Sequence, residues 1–245
     1  MLAATRKDIA GFPVLDVSSR ALCAELDNRL ESGQPAVLFF ANANFVVKCR
    51  DLLDWIRKAP VLIANDGVAM DGAAKFVYGQ PFQENLNGTD FTPQLLASLS
   101  FPKRVFLLGG RPGVAERAGE VIRARYGHEI VGCADGYGDL ADPALCARIN
   151  SLRTDIVLVA LGNPRQEQWI ARHHALLDAG LVMAIGALFD FMSGNIQRAP
   201  MWVQRIRCEW LYRLFLEPRR LLRRYTIDTM HFFYLVVRQG RASRS

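Results

Sequence analysis

Short apolar runs alternate with helical hydrophobic periods along most of this chain. Between the runs, apolar residues recur three or four positions apart, as Leu22, Leu26 and Leu30 do. The runs predict buried strands at 12–17, 36–40, 61–64, 105–108, 129–133, 155–161 and 181–185, and the periods predict helices at 21–31, 46–57, 69–78, 143–152 and 165–177, with others beginning near 89 and 114. Strands that alternate with helices predict an α/β fold, in which a mostly parallel sheet carries helices on both faces.

The stretch 104–136 contains the clearest strand–helix–strand unit. Its first strand runs into Gly109 and Gly110, a helix follows, and a second strand ends at Asp135 and Gly136. The backbone N–H groups of such a turn suit a phosphate, and a carboxylate at the position of Asp135 suits a ribose hydroxyl. Because the glycine spacing is GGxxG rather than GxGxxG, a tight turn without a ligand is the alternative.

Polar residues follow the ends of several predicted strands. Ligands bind outside the carboxyl ends of the strands in sheets of this class, so these residues mark the expected site. Asp66 precedes Gly67, and from this position a carboxylate can face a crevice as a general base, although an Asp-Gly pair is also a common turn. The full set is Asn42, Asn44, Asn65, Asp66, Gly109, Gly110, Asp135, Asn163, Gln166 and Asp190.

Amide side chains extend this candidate site. At a strand end we expect only one of Asn42 and Asn44 to face a given crevice, and Asn44 is favoured for binding sugar hydroxyls over tying down a loop. The helix N-terminus at Gln166 favours an anion or a polar ligand, and the alternative is a capped helix with Gln166 and Glu167 exposed. The polar stretch 79–89 is either a lid or a surface excursion, and Thr89 or Asp90 is expected to cap the next helix.

Positive charge is concentrated at the C-terminal end of the chain. Residues 196–245 contain 11 arginines, no lysine and 3 acidic residues, whereas residues 1–195 contain 19 basic and 21 acidic residues. The imbalance predicts two parts, a core over 1–195 and a basic helical C-terminal appendage over 196–245.

Arginines and apolar residues occupy opposite faces of the helices predicted in the appendage. Arg213, Arg220 and Arg223 lie seven and three positions apart and therefore share a face. A solvated face, a nucleic-acid patch and a phosphate or membrane-surface binder are the three interpretations. Aromatic and leucine residues opposite the arginines favour an anionic membrane surface as the partner. Nucleic acid is not expected, because the acidic core would repel a duplex lying across it.

Composition excludes several other classes of protein. With 51% hydrophobic and 22% charged residues, the 245-residue chain is globular. Its five cysteines form no CxxC pair, which predicts reduced thiols in a cytoplasmic protein, and its four histidines lack metal-ligand spacing. The sequence has no apolar segment typical of a signal peptide or a spanning helix, no Walker or GxSxG motif, and no DxD pair to hold a metal.

A series of motifs along residues 10–225 resembles the WecG/TagA/CpsF family of bacterial glycosyltransferases. The resemblance implies a Rossmann-like fold whose C-terminal appendage docks on the membrane and completes the active site. It further implies inverting transfer from a nucleotide donor, typically a UDP-sugar, to a polyprenyl-diphosphate-linked saccharide, by a peripheral protein at the cytoplasmic face of the bacterial inner membrane. The motifs are NxN, NDG, LNGTDF, FLLGGRPGVAE, ADGYG, LGNPRQEQW, GALFDFMSG, QRAPMW and EWLYRLFLEPRRLLRRY.

The resemblance also implies roles for matching residues. Asp66 is similar to the proposed base, and Asn44 and Gln166 to polar residues of the active site. No metal is expected as a cofactor, because arginines and loop amides can neutralise the diphosphate. Asn42 stands where many members have Thr, Asn87 replaces a common Arg, and these two residues with Asp90 are candidate contacts to the donor or acceptor. The arginines implied to reach the diphosphate are Arg213, Arg220 and Arg223.

Two other functions and one other assembly stay open at this point. An NAD-dependent oxidoreductase would use Asp135 as its ribose-binding acid, although no TyrxxxLys pair accompanies it. A non-catalytic module would use the appendage only to bind a membrane. In an oligomer, a neighbouring copy rather than the appendage would complete the site.

Overall fold

A six-stranded sheet forms the centre of the molecule in the computed structural model, which describes residues 5–196 and 224–242 together with 200, 212 and 214. All neighbouring strands of this sheet are parallel, in the order β4-β3-β8-β7-β5-β6. A separate antiparallel hairpin, β1 (Thr5–Ile9) and β2 (Phe12–Asp16), precedes it. The sheet strands are β3 (Ala36–Ala41), β4 (Val61–Asn65), β5 (Arg104–Gly109), β6 (Glu129–Ala134), β7 (Ile156–Ala160) and β8 (Leu181–Ala184).

Helices cover both faces of the sheet. Alternate residues of β3 enter opposite hydrophobic clusters, with Phe39 on one face and Leu38 on the other. In the described residues the helices are α1 (Ser19–Ser32), α2 (Ala43–Lys48), α3 (Leu53–Lys58), α4 (Val68–Tyr78), α5 (Gly88–Ser98), α6 (Val114–Tyr126), α7 (Leu145–Ser151), α8 (Arg165–His173), α9 (Leu188–Met192) and α10 (Thr229–Ala242). Helices α1, α5, α6 and α9 bury residues with Leu38, and α2, α3, α4, α7, α8 and α10 bury residues with Phe39.

Helix α10 packs against the core. Phe232 and Val236 are fully buried among residues of the Phe39 face. A π-helical turn (Arg224–Asp228) precedes the helix, and Asp228 pairs with Lys48 of α2 at 3.2 Å. Near the other end, Gln239 Nε2 donates to Asp8 Oδ1 at 2.8 Å, which joins α10 to the hairpin.

The structure confirms the predicted α/β class and most predicted elements, with several local corrections. Strand β1 and helix α9 were not predicted, and the predicted helix 46–57 is two helices separated by a 3-10 turn at Arg50–Leu52. Helix α5 is capped by the Asn87 side chain rather than by Thr89 or Asp90. None of the helices described is both long enough and apolar enough to cross a bilayer.

Candidate active site

Four neighbouring strands end beside one another at the edge where the polar residues lie. Strands β4, β3, β8 and β7 are consecutive in the sheet and parallel, so their carboxyl ends share this edge. Asp66 follows β4, Asn42 and Asn44 follow β3, and Gln166 lies at the start of α8 after β7. The fold therefore places these four residues, which come from three separate segments of the chain, at one edge of the sheet.

Asp66 is oriented by Asn42. Its backbone N–H donates to Ala41 O at 2.8 Å, and Gly67, with φ of +110°, turns the chain away after it. Asn42 Nδ2 donates to Asp66 Oδ2 at 3.0 Å, while Asn42 Oδ1 accepts from Phe45 N at 3.1 Å and caps α2. One side chain thus starts a helix and holds the carboxylate.

Asn44 belongs to a partly buried chain of polar side chains. Its Nδ2 donates to Asn163 Oδ1, and Asn163 Nδ2 donates to Cys49 Sγ at 3.3 Å. Burial, together with the nearby negative charge of Glu167, raises the pKa of the Cys49 thiol well above its ordinary range. Contrary to the expectation from sequence, Asn42 and Asn44 do not alternate along a strand, because Asn42 caps α2 and Asn44 lies within that helix. That only one of the two faces a given crevice stays a prediction.

Gln166 and Glu167 are buried rather than exposed, which excludes the simple capped-helix interpretation. Their exposed fractions are 5% and 1%. Gln166 Nε2 donates to Glu167 Oε1 at 2.9 Å, and Gln166 Oε1 accepts from Gly186 N at 3.1 Å. The Gln166 side chain therefore ties α8 to the turn that follows β8.

The loop at 79–87 is fastened beside Asp66. Asn65, fully buried, donates through Nδ2 to Glu84 O at 3.2 Å and to Asp71 Oδ1 at 3.0 Å. Asn85 Oδ1 accepts from Gly67 N at 3.0 Å. Sequence reasoning did not find Asn85, because a polar residue in a loop without a period carries no signal of its partner.

Asn87 and Asp90, the candidate sugar contacts, lie at the start of α5. Asn87 Oδ1 accepts from Asp90 N at 3.0 Å, and Asn87 Nδ2 donates to Asp90 Oδ2 at 2.8 Å. The pair thus closes the first turn of the helix.

The glycine turn lies further along the same edge, over β5 and β6. Gly109 has φ of +128°, and a Cβ there would lie 2.3 Å from Ala160 O, so the strands approach too closely for any side chain. Gly136 N donates to Gly110 O at 2.9 Å, and Asp135 Oδ1 accepts from Tyr137 N at 2.7 Å. The close approach of the strands therefore explains Gly109, and the hydrogen bond from Tyr137 N engages Asp135, so both residues have structural roles that require no ligand.

Arg165 connects the start of α8, where Gln166 lies, to the loop that follows β6. Its Nη2 donates to Gly136 O at 3.3 Å from the first residue of α8, directly before Gln166. Arg213, Arg220 and Arg223 lie outside the described residues. Among the residues described, no three His, Cys, Asp or Glu side chains gather as a metal site would require.

Comparison with known proteins defines the class. A family model described as "Glycosyl transferase WecG/TagA/CpsF family" matches residues 7–245. An N-acetylglucosaminyldiphosphoundecaprenol N-acetyl-beta-D-mannosaminyltransferase of Bacillus subtilis (strain 168) is 33% identical over 184 residues, which cover 74% of this chain and 70% of that relative. The protein is a glycosyltransferase. It belongs to the WecG/TagA/CpsF family, as the motifs predicted.

Proposed function

We propose that this glycosyltransferase moves a sugar, with inversion, from a UDP-sugar to a polyprenyl-diphosphate-linked saccharide in bacterial cell-surface polysaccharide synthesis. The name of the Bacillus subtilis relative, a transferase acting on N-acetylglucosaminyldiphosphoundecaprenol, supports this class of acceptor. The observation that carries the proposal is the Asp66 carboxylate, held by Asn42 at the sheet edge that also carries Asn44 and Gln166.

Asp66 acts as the general base. Its carboxylate takes the proton from the acceptor hydroxyl while that oxygen attacks the anomeric carbon of the donor. The bond from the anomeric carbon to the diphosphate breaks on the opposite face, and UDP leaves with the electron pair. Asn44 and Gln166 hold sugar hydroxyls in line for this displacement, a positioning effect that lowers the barrier.

The nucleotide and its diphosphate bind along the glycine turn and under the appendage. Backbone groups of the turn at Gly109, Gly110 and Gly136 are the candidate diphosphate contacts, and Asp135 is the candidate ribose contact. Arg213, Arg220 and Arg223 neutralise the diphosphate in place of a metal ion, since each charged hydrogen bond contributes about 1.5–3 kcal/mol.

The protein works as a peripheral protein at the cytoplasmic face of the bacterial inner membrane. Its acceptor carries a polyprenyl chain, and the exposed apolar residues of the C-terminal end support contact with an anionic lipid surface. These residues are Ile227, Met230, Phe233, Tyr234 and Val237. A homo-oligomer is compatible with this arrangement.

A donor panel tests the proposed function. UDP-glucose, UDP-N-acetylglucosamine, UDP-N-acetylmannosamine and UDP-glucuronate are offered to the purified protein with synthetic lipid-diphosphate saccharides. Release of UDP and formation of a longer saccharide with one donor is the expected result. Failure with every donor, combined with no thermal stabilisation by UDP, would contradict the proposed UDP-sugar donor.

A further inference from the structure

We infer that Asn163 is a positioning residue, which orients Asn44 so that the Asn44 carbonyl oxygen meets the sugar substrate. The inference rests on the proposed function, because it assigns Asn163 a part in that reaction. It depends on the two side-chain bonds that Asn163 makes at the end of β7.

The Asn163 side chain joins the end of β7 to the segment that follows β3, and among the described residues it makes no hydrogen bond within its own loop. Both partners of its amide, Asn44 and Cys49, are side chains of the α2 segment that follows β3. Asn150 illustrates the ordinary structural use of an amide, since it donates to Leu176 O at 2.8 Å and accepts from Asp178 N at 3.0 Å, both backbone groups. Asn163 is therefore placed to set another side chain rather than to stabilise a turn.

Cys49 fixes the direction of the Asn163 amide. The thiol is fully buried, and Cys49 N donates to Phe45 O at the end of α2, so the sulfur has a defined place. Asn163 Nδ2 points to this sulfur, which leaves Asn163 Oδ1 to face Asn44. Cys49, at the end of α2, thereby fixes the orientation of the Asn163 amide, which in turn contacts Asn44 near the start of that helix.

The consequence for Asn44 is chemical. Its Nδ2 is committed to Asn163, while no residue in the described segments donates a hydrogen bond to its Oδ1. An amide oxygen accepts and cannot donate, so Asn44 selects an O–H or N–H group of the sugar. A ring hydroxyl and the N–H of a 2-acetamido group both have this chemistry.

A double-mutant cycle on kcat tests the role of Asn163. Asn163→Ala lowers kcat about ten- to a hundredfold, because the Asn44 amide then rotates away from the productive orientation. In an Asn44→Ala background the same change costs less than about twofold, since the side chain on which Asn163 acts is absent. Asn150→Ala is the matched control, and its kcat stays within about twofold of wild type.

Changes at Cys49 give a second measurement that does not depend on Asn163 variants folding. Cys49→Ser keeps a hydrogen-bond acceptor and retains more kcat than Cys49→Ala, by about threefold or more. Cys23→Ala, a buried thiol on the other face of the sheet, leaves kcat unchanged.

Each outcome is decisive. Multiplicative losses in the Asn44/Asn163 cycle, or an Asn163→Ala variant with wild-type kcat, overturn the positioning role while wild-type transfer preserves the proposed function. A wild-type protein that transfers no sugar overturns both. Equal kcat values for Cys49→Ser and Cys49→Ala count against the part assigned to the thiol.

Discussion

At the scale of single residues, the hydrogen bond between Asn42 and Asp66 is the contact on which the proposed mechanism depends. The 3.0 Å bond from Asn42 Nδ2 to Asp66 Oδ2 fixes the orientation of the carboxylate directly after β4. Because Asn42 also caps α2, any change in Asp66 orientation is coupled to the start of that helix. A carboxylate held in this way loses little entropy when substrate binds.

Removing the charge of Asp66 tests its role as base. Asp66→Asn is nearly isosteric, and we expect kcat to fall by about a hundredfold or more because general-base catalysis contributes about 10²–10⁴. UDP binding, measured by calorimetry, stays within about threefold of wild type. Asp178→Asn, at the opposite edge of the sheet, is the control, and an unchanged kcat for Asp66→Asn would remove this residue from the mechanism.

Sequence reasoning identified both members of this pair but not their contact. Each follows an apolar run, a position that any parallel sheet makes important. Their contact depends on strand order and register: β3 and β4 are neighbours, and Ala41 lies opposite Asn65, so the next residues face each other. Asn163 and Cys49 were not paired for the same reason, since nothing local links residues 114 positions apart.

At the scale of elements, the β5 turn requires glycine. Gly109→Ala would force a Cβ to within 2.3 Å of Ala160 O at a φ of +128°. We expect the free energy of unfolding to fall by about 2–5 kcal/mol, from overpacking and backbone strain together. Urea denaturation measures the loss. Gly138→Ala, where no atom lies within 4 Å, should change stability by less than about 0.5 kcal/mol.

Neighbouring phenylalanines of α10 provide a second matched pair. Phe232 is fully buried, whereas Phe233 is 42% exposed. Phe232→Ala should lower the free energy of unfolding by about 3–5 kcal/mol, the usual cost of a large core cavity. Phe233→Ala should cost less than about 1 kcal/mol. Equal losses in thermal and urea unfolding would contradict the packing of α10 on the core.

The elements that escaped sequence prediction have identifiable reasons. Strand β1 carries Arg6, Lys7 and Asp8, and its charged residues hide the apolar alternation. Helix α9 has five residues, too few to display a period. The predicted helix 46–57 is interrupted at Arg50–Leu52, a break without a proline or glycine to signal it. Asn87 was not recognised as a cap because Thr89 and Asp90 offered equally good candidates.

At the scale of the whole molecule, the charge distribution underlies the proposed metal independence. A core with 19 basic and 21 acidic residues is joined to a segment with 11 arginines, which places the cationic groups at one end of the chain. We expect EDTA to leave the initial rate of sugar transfer unchanged, since in the proposed mechanism guanidinium groups neutralise the diphosphate. Loss of the rate on adding EDTA, with recovery on adding Mg²⁺, would contradict this expectation.

We expect the thiols of Cys49 and Cys133 to make the stability of the molecule depend on pH. Burial raises the pKa of Cys49 from its ordinary 9.0, and burial first, then the charge of Glu116, raises the pKa of Cys133 to about 11. Thiols of the unfolded chain ionise above pH 9 while these stay protonated, so the free energy of unfolding falls as pH rises.

The contribution of Cys49 can be isolated by substitution. Between pH 9 and pH 10 this thiol alone should remove about 1 kcal/mol of stability. Urea denaturation of wild type and Cys49→Ala at the two pH values measures the difference, and the variant should lose less on going to pH 10. Parallel losses in the two proteins would contradict the raised pKa.

The architecture as a whole was the most predictable level. Alternating strands and helices leave few arrangements other than a parallel sheet with two covered faces, and the structure confirms this. The position of β8 between β3 and β7 was not predictable, because strand order is decided by crossover connections and not by local pattern. That position brings the Gly186 turn to Gln166.

Because Gln239 joins α10 to the hairpin, a truncation that removes the appendage also alters contacts of the core. Truncation after residue 195 would remove Phe232 from the hydrophobic core and leave a cavity there. It would also remove Gln239, which hydrogen-bonds to the Asp8 carboxylate and the Ala10 amide. If such a truncated protein were inactive, the cause could be destabilisation of the core as well as loss of the guanidinium groups. Single substitutions of the arginines, in a protein that keeps α10 packed against the core, separate the two effects.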